Sequence, residues 1–266
     1  MILLNGRDLT AAQLTAIAEG EPVALDGAAL AAVSANRAVI DRILREGRTV
    51  YGINTGFGQF ATVVIPPDQL RQLQLNLVRS HAAGVGDPLP KAQTRALMAA
   101  RINCLLKAHS GIRPEPIQLL MECLNRDVVP VVPSQGSVGA SGDLAPLAHM
   151  ALLLVGEGQA WSGATFIPGG QALAKAGLTP VTLEAKEGLA LINGTQLITS
   201  LGCLALDRLR TLVDASEEIA ALSLEALQGT RAAFDPRIHA ARPHPGQVEV
   251  ALRMRAILGD SSEIGE

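Results

Sequence analysis

Aromatic residues are scarce in this sequence, at 2% of its 266 residues, with a single Trp and a single Tyr. Hydrophobic residues nevertheless make up 48%, so the core has to be built mainly from Leu, Ala, Val and Ile. A chain of this size can bury a sizeable core. Because Ala and Leu recur at helical spacing, we predict an all-α fold with closely approaching helices.

Cysteine is also scarce. Cys104, Cys123 and Cys203 are odd in number and far apart, which argues against a disulfide framework and against a zinc site. His149 has no second ligand four residues further along the chain, so we interpret it as a core histidine. We therefore expect no bound metal.

Neither sign of charge predominates, since 22 Lys and Arg stand against 25 Asp and Glu, for a net charge of −3. This balance predicts that nucleic acid is not a partner. No apolar run reaches the roughly 18 residues that suggest a membrane span, and the first residues lack the pattern of a signal peptide. We expect a soluble, cytoplasmic protein that does not bind a membrane.

Apolar positions at helical spacing predict several helices, and Asp26 fits the N-cap of the first long one. The longer helices are expected at about 26–46, 67–81, 92–109, 115–126, 143–155 and 195–227. The stretch 157–183 is richer in Gly and Pro and predicts a small hairpin or irregular excursion. Since the sequence has no repeat and no obvious linker, residues 1–266 are predicted to form a single, mainly helical domain.

A glycine-rich segment lies near the middle of the chain. From Val132 to Met150 its sequence is V-P-S-Q-G-S-V-G-A-S-G-D-L-A-P-L-A-H-M. On its residues alone it predicts a loop followed by a helix, with Ser141 as the N-cap and Asp143 in the first turn. The segment also resembles the signature of the aromatic amino acid ammonia-lyases, and among them that of the histidine-specific members.

In that family the Ala-Ser-Gly tripeptide cyclises with loss of water into a methylidene-imidazolone, an electrophile made from the chain itself. The resemblance implies that this group forms from Ala140, Ser141 and Gly142, and that Ser141 becomes 2,3-didehydroalanine. Small residues suit the reaction because the Gly142 nitrogen has to reach the Ala140 carbonyl. No dissolved cofactor is then needed, and Asp143 is a supporting residue.

A second glycine-rich segment, Y-G-I-N-T-G-F-G, runs from Tyr51 to Gly58. Its glycine spacing matches neither the dinucleotide fingerprint nor the phosphate-binding loop, so a nucleotide site is not expected. On spacing alone it is a structural turn. It is also similar to a second signature of the ammonia-lyases, and that resemblance implies Tyr51 as the general base and Gly58 as a supporting residue.

The third segment, E-G-L-A-L-I-N-G-T-Q, runs from Glu187 to Gln196. Asn-Gly-Thr ordinarily forms a turn. By resemblance to the same family, Asn193 faces the electrophile. The Gly194 amide is then able to stabilise negative charge on it.

Ser80 and His81 lie at the predicted end of a helix, where a histidine is ordinarily a cap. In the ammonia-lyases this pair contacts the substrate side chain: it is Phe-Leu in phenylalanine-specific members, His-Leu in tyrosine-specific ones and Ser-His in histidine-specific ones. A polar pair can satisfy the donor and acceptor of an imidazole, which an apolar pair would leave unpaired. The resemblance implies L-histidine as the substrate.

The implied reaction converts L-histidine into trans-urocanate and ammonia, the first step of histidine degradation, with attack on the electrophile by the substrate amine or by its imidazole. Two alternatives remain open: a lyase or aminomutase of the same family acting on tyrosine or phenylalanine, and a non-catalytic helical protein that associates with a fuller partner. The resemblance also implies a helical bundle of the aspartase/ammonia-lyase type and a homotetramer. We expect the 266 residues to correspond to the N-terminal half of such an enzyme and to be weakly active or inactive alone.

Overall fold

The computed structural model of the chain describes residues 1–136 and 142–259. Helices dominate this part of the chain. They are α1 Ala11–Ala18, α2 Gly27–Arg45, α3 Leu70–His81, α4 Lys91–Leu105, α5 Pro114–Asn125, α6 Leu144–Leu154, α7 Gly169–Lys175, α8 Glu187–Ile192, α9 Gln196–Ala226, α10 Pro236–Ala240 and α11 Pro245–Leu258. Short 3-10 turns cover Gly58–Phe60, Pro67–Gln69 and Arg231–Phe234.

The strands are short and form three two-stranded sheets in the described residues. Strands β1 (Ile2–Leu4) and β2 (Val23–Leu25) pair in parallel, and α1 lies between them in the chain. Strands β3 (Val85–Pro88) and β4 (Pro133–Gln135) are antiparallel with an irregular register. Strands β5 (Gln159–Ser162) and β6 (Thr165–Pro168) form a hairpin.

Two compact units divide the chain, and the boundary between Leu204 and Ala205 falls within α9. In the first unit, Met1–Leu204, the core is aliphatic, as the composition predicts. Helix α4 packs against α1 and α5, and α6 packs against α3 and α8. Both α4 and α6 are buried over most of their length, which makes them the central helices of this unit.

The second unit is Ala205–Glu266, described through Gly259. Its small core has Ala221, Met254 and Leu258 at its centre. Several large apolar side chains of α9 in this unit are exposed: Leu206, Leu209, Leu212, Val213, Ile219 and Leu222. Across the described residues, none of the helices combines the length and the apolar character needed to cross a membrane. The single domain over 1–266 stays a prediction.

The predicted helices are confirmed, with differences at their ends. Asp26 caps α2, since its Oδ1 accepts a hydrogen bond of 2.8 Å from the Ala29 N–H. Helix α4 ends at Leu105 rather than near His109, because Ala108 takes a positive φ of 60° that ends the helical path. The excursion around 157–183 contains the β5–β6 hairpin, as predicted, and also the unpredicted α7.

Candidate functional site

Gly142 and Gly194 face each other across a single parallel bridge. The Asp143 N–H donates to the Gly194 carbonyl at 2.7 Å. Gly142 has a φ of +92°, and a Cβ at this position would collide with that same carbonyl. Only glycine fits here. The end of the Ala-Ser-Gly tripeptide is therefore in contact with the Asn-Gly-Thr turn, although more than 50 residues separate the two along the chain.

The carboxylate of Asp143 is completely buried. Its Oδ2 accepts hydrogen bonds from the N–H groups of Leu197, at 2.9 Å, and Ile198, at 3.1 Å. These are orphan donors in the first turn of α9, where a negative charge is favoured. Its Oδ1 has no hydrogen-bond partner among the described residues.

The sequence predicts Asp143 in the first turn of a helix capped by Ser141, and the structure has it one position earlier, directly before α6. Asp143 is the N-cap residue of α6 by position, but its side chain makes no capping bond to that helix. The carboxylate caps α9 instead, because tertiary folding brings the start of α9 beside it. Ser141, the expected cap, and Ala140 lie outside the described residues, as do 137–139.

Arg101, on α4, lies on the other side of the same turn and is only 2% exposed. Its Nη1 donates to Gln196 Oε1 at 2.6 Å, and its Nη2 donates to the carbonyls of Asn193, at 3.0 Å, and Ala190. Burial lowers the pKa of Arg101 to about 10. The guanidinium therefore remains charged at neutral pH, among carbonyl and amide oxygens.

The opposite end of α8 is held by Glu187, whose side chain is fully buried. Glu187 Oε1 accepts from the backbone N–H of Arg113 at 3.0 Å and from its Nε at 2.8 Å, and Oε2 accepts from Nη2 at 2.8 Å. The pair raises the pKa of Arg113. Arg37 is also buried nearby, with Nη1 at 3.9 Å from Glu187 Oε1.

The loop that contains Tyr51 packs on α8. A Cβ on Gly52 would lie 2.8 Å from the side chain of Leu189 and 3.9 Å from the Lys186 amine, whose pKa is lowered by burial. Tyr51 itself is 56% exposed. Its ring meets that of Phe57 edge-on, with centroids 6.2 Å apart.

The side chain of Asn54 binds the residues that lead into this loop. Its Oδ1 accepts from the N–H of Val50 at 2.9 Å, and its Nδ2 donates to the carbonyl of Arg48 at 2.8 Å. A side chain within the motif therefore fixes the start of the loop.

Ser80 and His81 form the last turn of α3. The Ser80 hydroxyl donates to the Leu77 carbonyl at 3.0 Å, and His81 Nδ1 lies 2.9 Å from that carbonyl. A contact of this kind places the proton on Nδ1 and leaves Nε2 as an acceptor. Three residues later, the Gly84 N–H donates to Nε2 of the half-buried His149 at 3.1 Å.

The model of the family described as aromatic amino acid lyase matches residues 9–265. The chain belongs to the aromatic amino acid lyase family. The histidine ammonia-lyase of Koribacter versatilis is 51% identical over 97% of this chain and 50% of its own length.

Two solved structures resemble this lyase-family chain closely. Histidine ammonia-lyase from Trypanosoma cruzi matches with a TM-score of 0.90 and 46% identity, over 96% of this chain and 49% of that one. Tyrosine aminomutase from Streptomyces globisporus matches with a TM-score of 0.95 and 37% identity, over 100% and 50%. The predicted fold is confirmed, and the chain spans about half the length of the relatives it matches.

The structure of this aromatic amino acid lyase chain brings some predicted residues together. Gly142, Asp143 and Gly194 are in direct contact, and Asn193 lies next to them with an exposed side chain. The Tyr51 loop and α3, which carries Ser80–His81, both pack on α8. Gly58 begins a 3-10 turn at a φ of +57° and has open space around it.

Arg101 and Glu187 were not predicted as part of this arrangement. A signal for Arg101 does exist: a charged residue occupies the buried face of a helix whose neighbouring positions Leu97, Met98 and Ile102 are apolar. A charge in such a place requires specific partners.

Within the described residues, no cluster of His, Cys, Asp and Glu is suited to hold a metal ion.

Proposed function

We propose that this chain belongs to a histidine ammonia-lyase, which converts L-histidine into trans-urocanate and ammonia. The observation that carries the proposal is the contact between Gly142 and Gly194, because it joins the tripeptide to the Asn193 turn. The sequence identity of 50–51% to curated histidine ammonia-lyases supports the proposal. Ser-His at positions 80 and 81 supports it as well.

The residues that the structure describes fit an electrophile formed from Ala140, Ser141 and Gly142. In ring closure, the Gly142 nitrogen bonds to the Ala140 carbonyl carbon, and the Ala140 oxygen leaves as water with the two amide hydrogens of Ser141 and Gly142. Ser141 then loses its Cα hydrogen and its hydroxyl as a second water. Gly142 lies so close to the Gly194 carbonyl that any side chain at position 142 would collide with it.

The methylidene-imidazolone supplies an electrophile that natural side chains lack, and it makes a β-hydrogen of histidine removable. Tyr51 takes that proton as the general base, and its exposed phenol is open to a substrate. Asn193 and the Gly194 N–H face the electrophile and stabilise its negative charge. Asp143 and Gly58 support this arrangement, with Asp143 holding the start of α9.

His81 Nε2 accepts the N–H of the substrate imidazole, because Nδ1 is engaged by the Leu77 carbonyl. The Ser80 hydroxyl oxygen provides further hydrogen-bonding capacity beside it. By analogy with the family, the assembled enzyme is a cytoplasmic homotetramer that uses no dissolved cofactor. Tyrosine and phenylalanine lack the imidazole nitrogens that this pair would satisfy.

The intact mass of the purified chain tests ring formation. We expect the loss of two waters, localised to the peptide containing Ala140–Gly142. Ser141→Ala is the matched control, since it cannot lose the second water. An unmodified mass in the parent chain would overturn the proposal that this chain forms the electrophile.

Turnover tests the substrate. With histidine, tyrosine and phenylalanine offered separately, we expect slow ammonia release from histidine only, with urocanate as the second product. Tyr51→Phe keeps the ring contact with Phe57 but removes the phenol, so it should reduce kcat by about 100-fold or more. Deamination of tyrosine or phenylalanine in preference to histidine would favour the alternative lyase or aminomutase.

A further inference from the structure

Arg101 is a buried cation whose described partners include no carboxylate. Its hydrogen-bond acceptors are two backbone carbonyls and one amide oxygen, and its Nε has no partner among the described residues. Burying a charge is costly, and when no carboxylate pairs with it the hydrogen bonds alone have to offset that cost. The arrangement therefore requires an explanation beyond core packing.

The three acceptors of Arg101 flank a single turn, which joins α8 to α9. The carbonyls of Ala190 and Asn193 belong to the C-terminal end of α8, where carbonyls lack partners within the helix. Gln196 is the first residue of α9. A positive charge at the end of a helix is favoured by its dipole. Arg101 thus ties the end of α8 to the start of α9 across residues 193–195.

The same turn contacts Gly142. Gly194 accepts the N–H of Asp143, while the Asp143 carboxylate binds the first turn of α9. A Cβ on Gly194 would collide with Arg101 Nη1 and with Gln196 Oε1, so the turn lies directly against the guanidinium. Arg101 and Asp143 therefore hold the turn from two sides.

We propose that Arg101 is a positioning residue: it holds the 193–195 turn against Gly142 and so sets the geometry in which the tripeptide ring closes. The claim about ring closure rests on the proposed function. The claim that Arg101 places the turn does not, since the placement of the turn can be measured without ring formation. Arg101 reaches neither the substrate nor the reacting atoms in this account. It acts through Asn193, Gly194 and Gln196.

Arg95 provides a matched control on the same helix. It is also buried, at 5% exposed, and donates to two backbone carbonyls at 3.0 Å and 2.9 Å and, unlike Arg101, to a carboxylate, that of Asp127, at 3.2 Å. Those carbonyls, of Ile17 and Leu124, belong to α1 and α5 rather than to the turn. Arg95→Gln should therefore lower stability without changing the turn.

The experiment compares Arg101→Gln, Arg101→Lys and Arg95→Gln by residue-resolved amide hydrogen exchange. The reporters are the N–H groups of Asp143, Leu197 and Ile198. In Arg101→Gln we expect these to exchange about tenfold faster, relative to core amides of α6, than in the parent chain. Arg101→Lys should give a smaller increase because a single ammonium cannot span three acceptors. Arg95→Gln should leave the ratio unchanged.

Intact mass is measured on the same samples. If the parent chain carries the ring, Arg101→Gln should reduce the cyclised fraction several-fold, Arg101→Lys should partly restore it, and Arg95→Gln should keep it. Unchanged exchange at the three reporters in both Arg101 variants would overturn the proposal. So would faster exchange combined with full cyclisation, because the guanidinium would then only stabilise the turn.

An unmodified parent chain would contradict the proposed function while leaving the exchange measurement to decide the placement of the turn. If Arg101→Gln does not fold, the Arg101→Lys variant decides instead, against the same Arg95→Gln control. An increase of similar size in Arg95→Gln would show a general loss of stability and would also overturn the proposal.

Discussion

The two ends of α8 are held by buried charges of opposite sign, and the partners of these charges differ. At the N-terminal end, Glu187 is neutralised by Arg113 through three hydrogen bonds. At the C-terminal end, Arg101 is surrounded by oxygens of neutral groups. Both signs agree with the helix dipole. One end is therefore an ion pair, and the other is a cation held by peptide dipoles.

This difference shows two separate uses of a short helix. With 6 residues, α8 is too short to be stable alone, so its position depends on what holds its ends. The Glu187 end connects it to the start of α5 and contributes stability. The Arg101 end adjoins the turn that contacts Gly142. We infer that stability is concentrated at the first end and the geometry of the site at the second.

Breaking the ion pair should have the largest effect on stability. Glu187→Gln removes the charge that neutralises Arg113 and leaves that guanidinium partly buried. We expect the free energy of unfolding to fall by about 3 kcal/mol, the range for removal of one partner from a buried pair. Urea unfolding followed by circular dichroism measures it.

The control is Glu184→Gln at the neighbouring surface pair. Arg71 is exposed and binds Glu184 at 2.8 Å, so the loss of stability should be much smaller than in Glu187→Gln. If Glu187→Gln destabilises no more than Glu184→Gln does, the N-terminal end of α8 is not the stability contact described above.

A glycine lies at each end of α8. Substituting each one in turn separates the contribution of α8 to stability from its contribution to the geometry of the site. At Gly188, a Cβ would meet the Gln74 carbonyl at 2.8 Å; at Gly194, it would collide with Arg101 and Gln196. Each Gly→Ala change should lower the free energy of unfolding by about 1–3 kcal/mol through overpacking. Only Gly194→Ala should also reduce the cyclised fraction seen by intact mass.

Equal loss of cyclisation in both variants would contradict this division of roles. The two substitutions are the same chemical change, and urea unfolding of both variants shows whether a difference in stability explains a difference in cyclisation. Retention of the full cyclised mass in Gly194→Ala would remove the argument that the turn sets the geometry at Gly142.

The sequence predicted what depends on local signals. Asp26 was identified as a cap because its acceptor role involves a residue only three positions away. The hairpin within 157–183 followed from its Gly and Pro content. The three motif segments were identified by resemblance, and the structure shows that Gly142 and Gly194, from two of them, are in contact.

What the sequence did not predict depends on tertiary placement. Asp143 caps α9, more than 50 residues away, and a local rule could only assign it to its own helix. Arg101 acquires its role from carbonyls about 90 positions later in the chain. The β1–β2 pair was missed because each strand has 3 residues, too few for a periodic signal.

The smallest expected effect is on the pH dependence of stability. It should depend on the His149 contact just after α3 and not on Arg101 at the end of α8. The Gly84 N–H binds His149 Nε2, which requires an unprotonated nitrogen, and burial lowers the pKa of His149. Below about pH 6.5 the unfolded chain takes up a proton that the folded state resists, so this contribution to stability is lost as the pH falls.

We therefore expect His149→Gln to reduce the loss of unfolding free energy between about pH 7.5 and about pH 5.5 by up to about 1 kcal/mol. Arg101 stays charged over that range, since its pKa is about 10, so Arg101→Lys should keep the pH dependence of the parent chain. Urea unfolding at both pH values measures these slopes. An unchanged pH dependence in His149→Gln would show that the imidazole is not its source. A weaker pH dependence in Arg101→Lys would show that the contact after α3 depends on the end of α8.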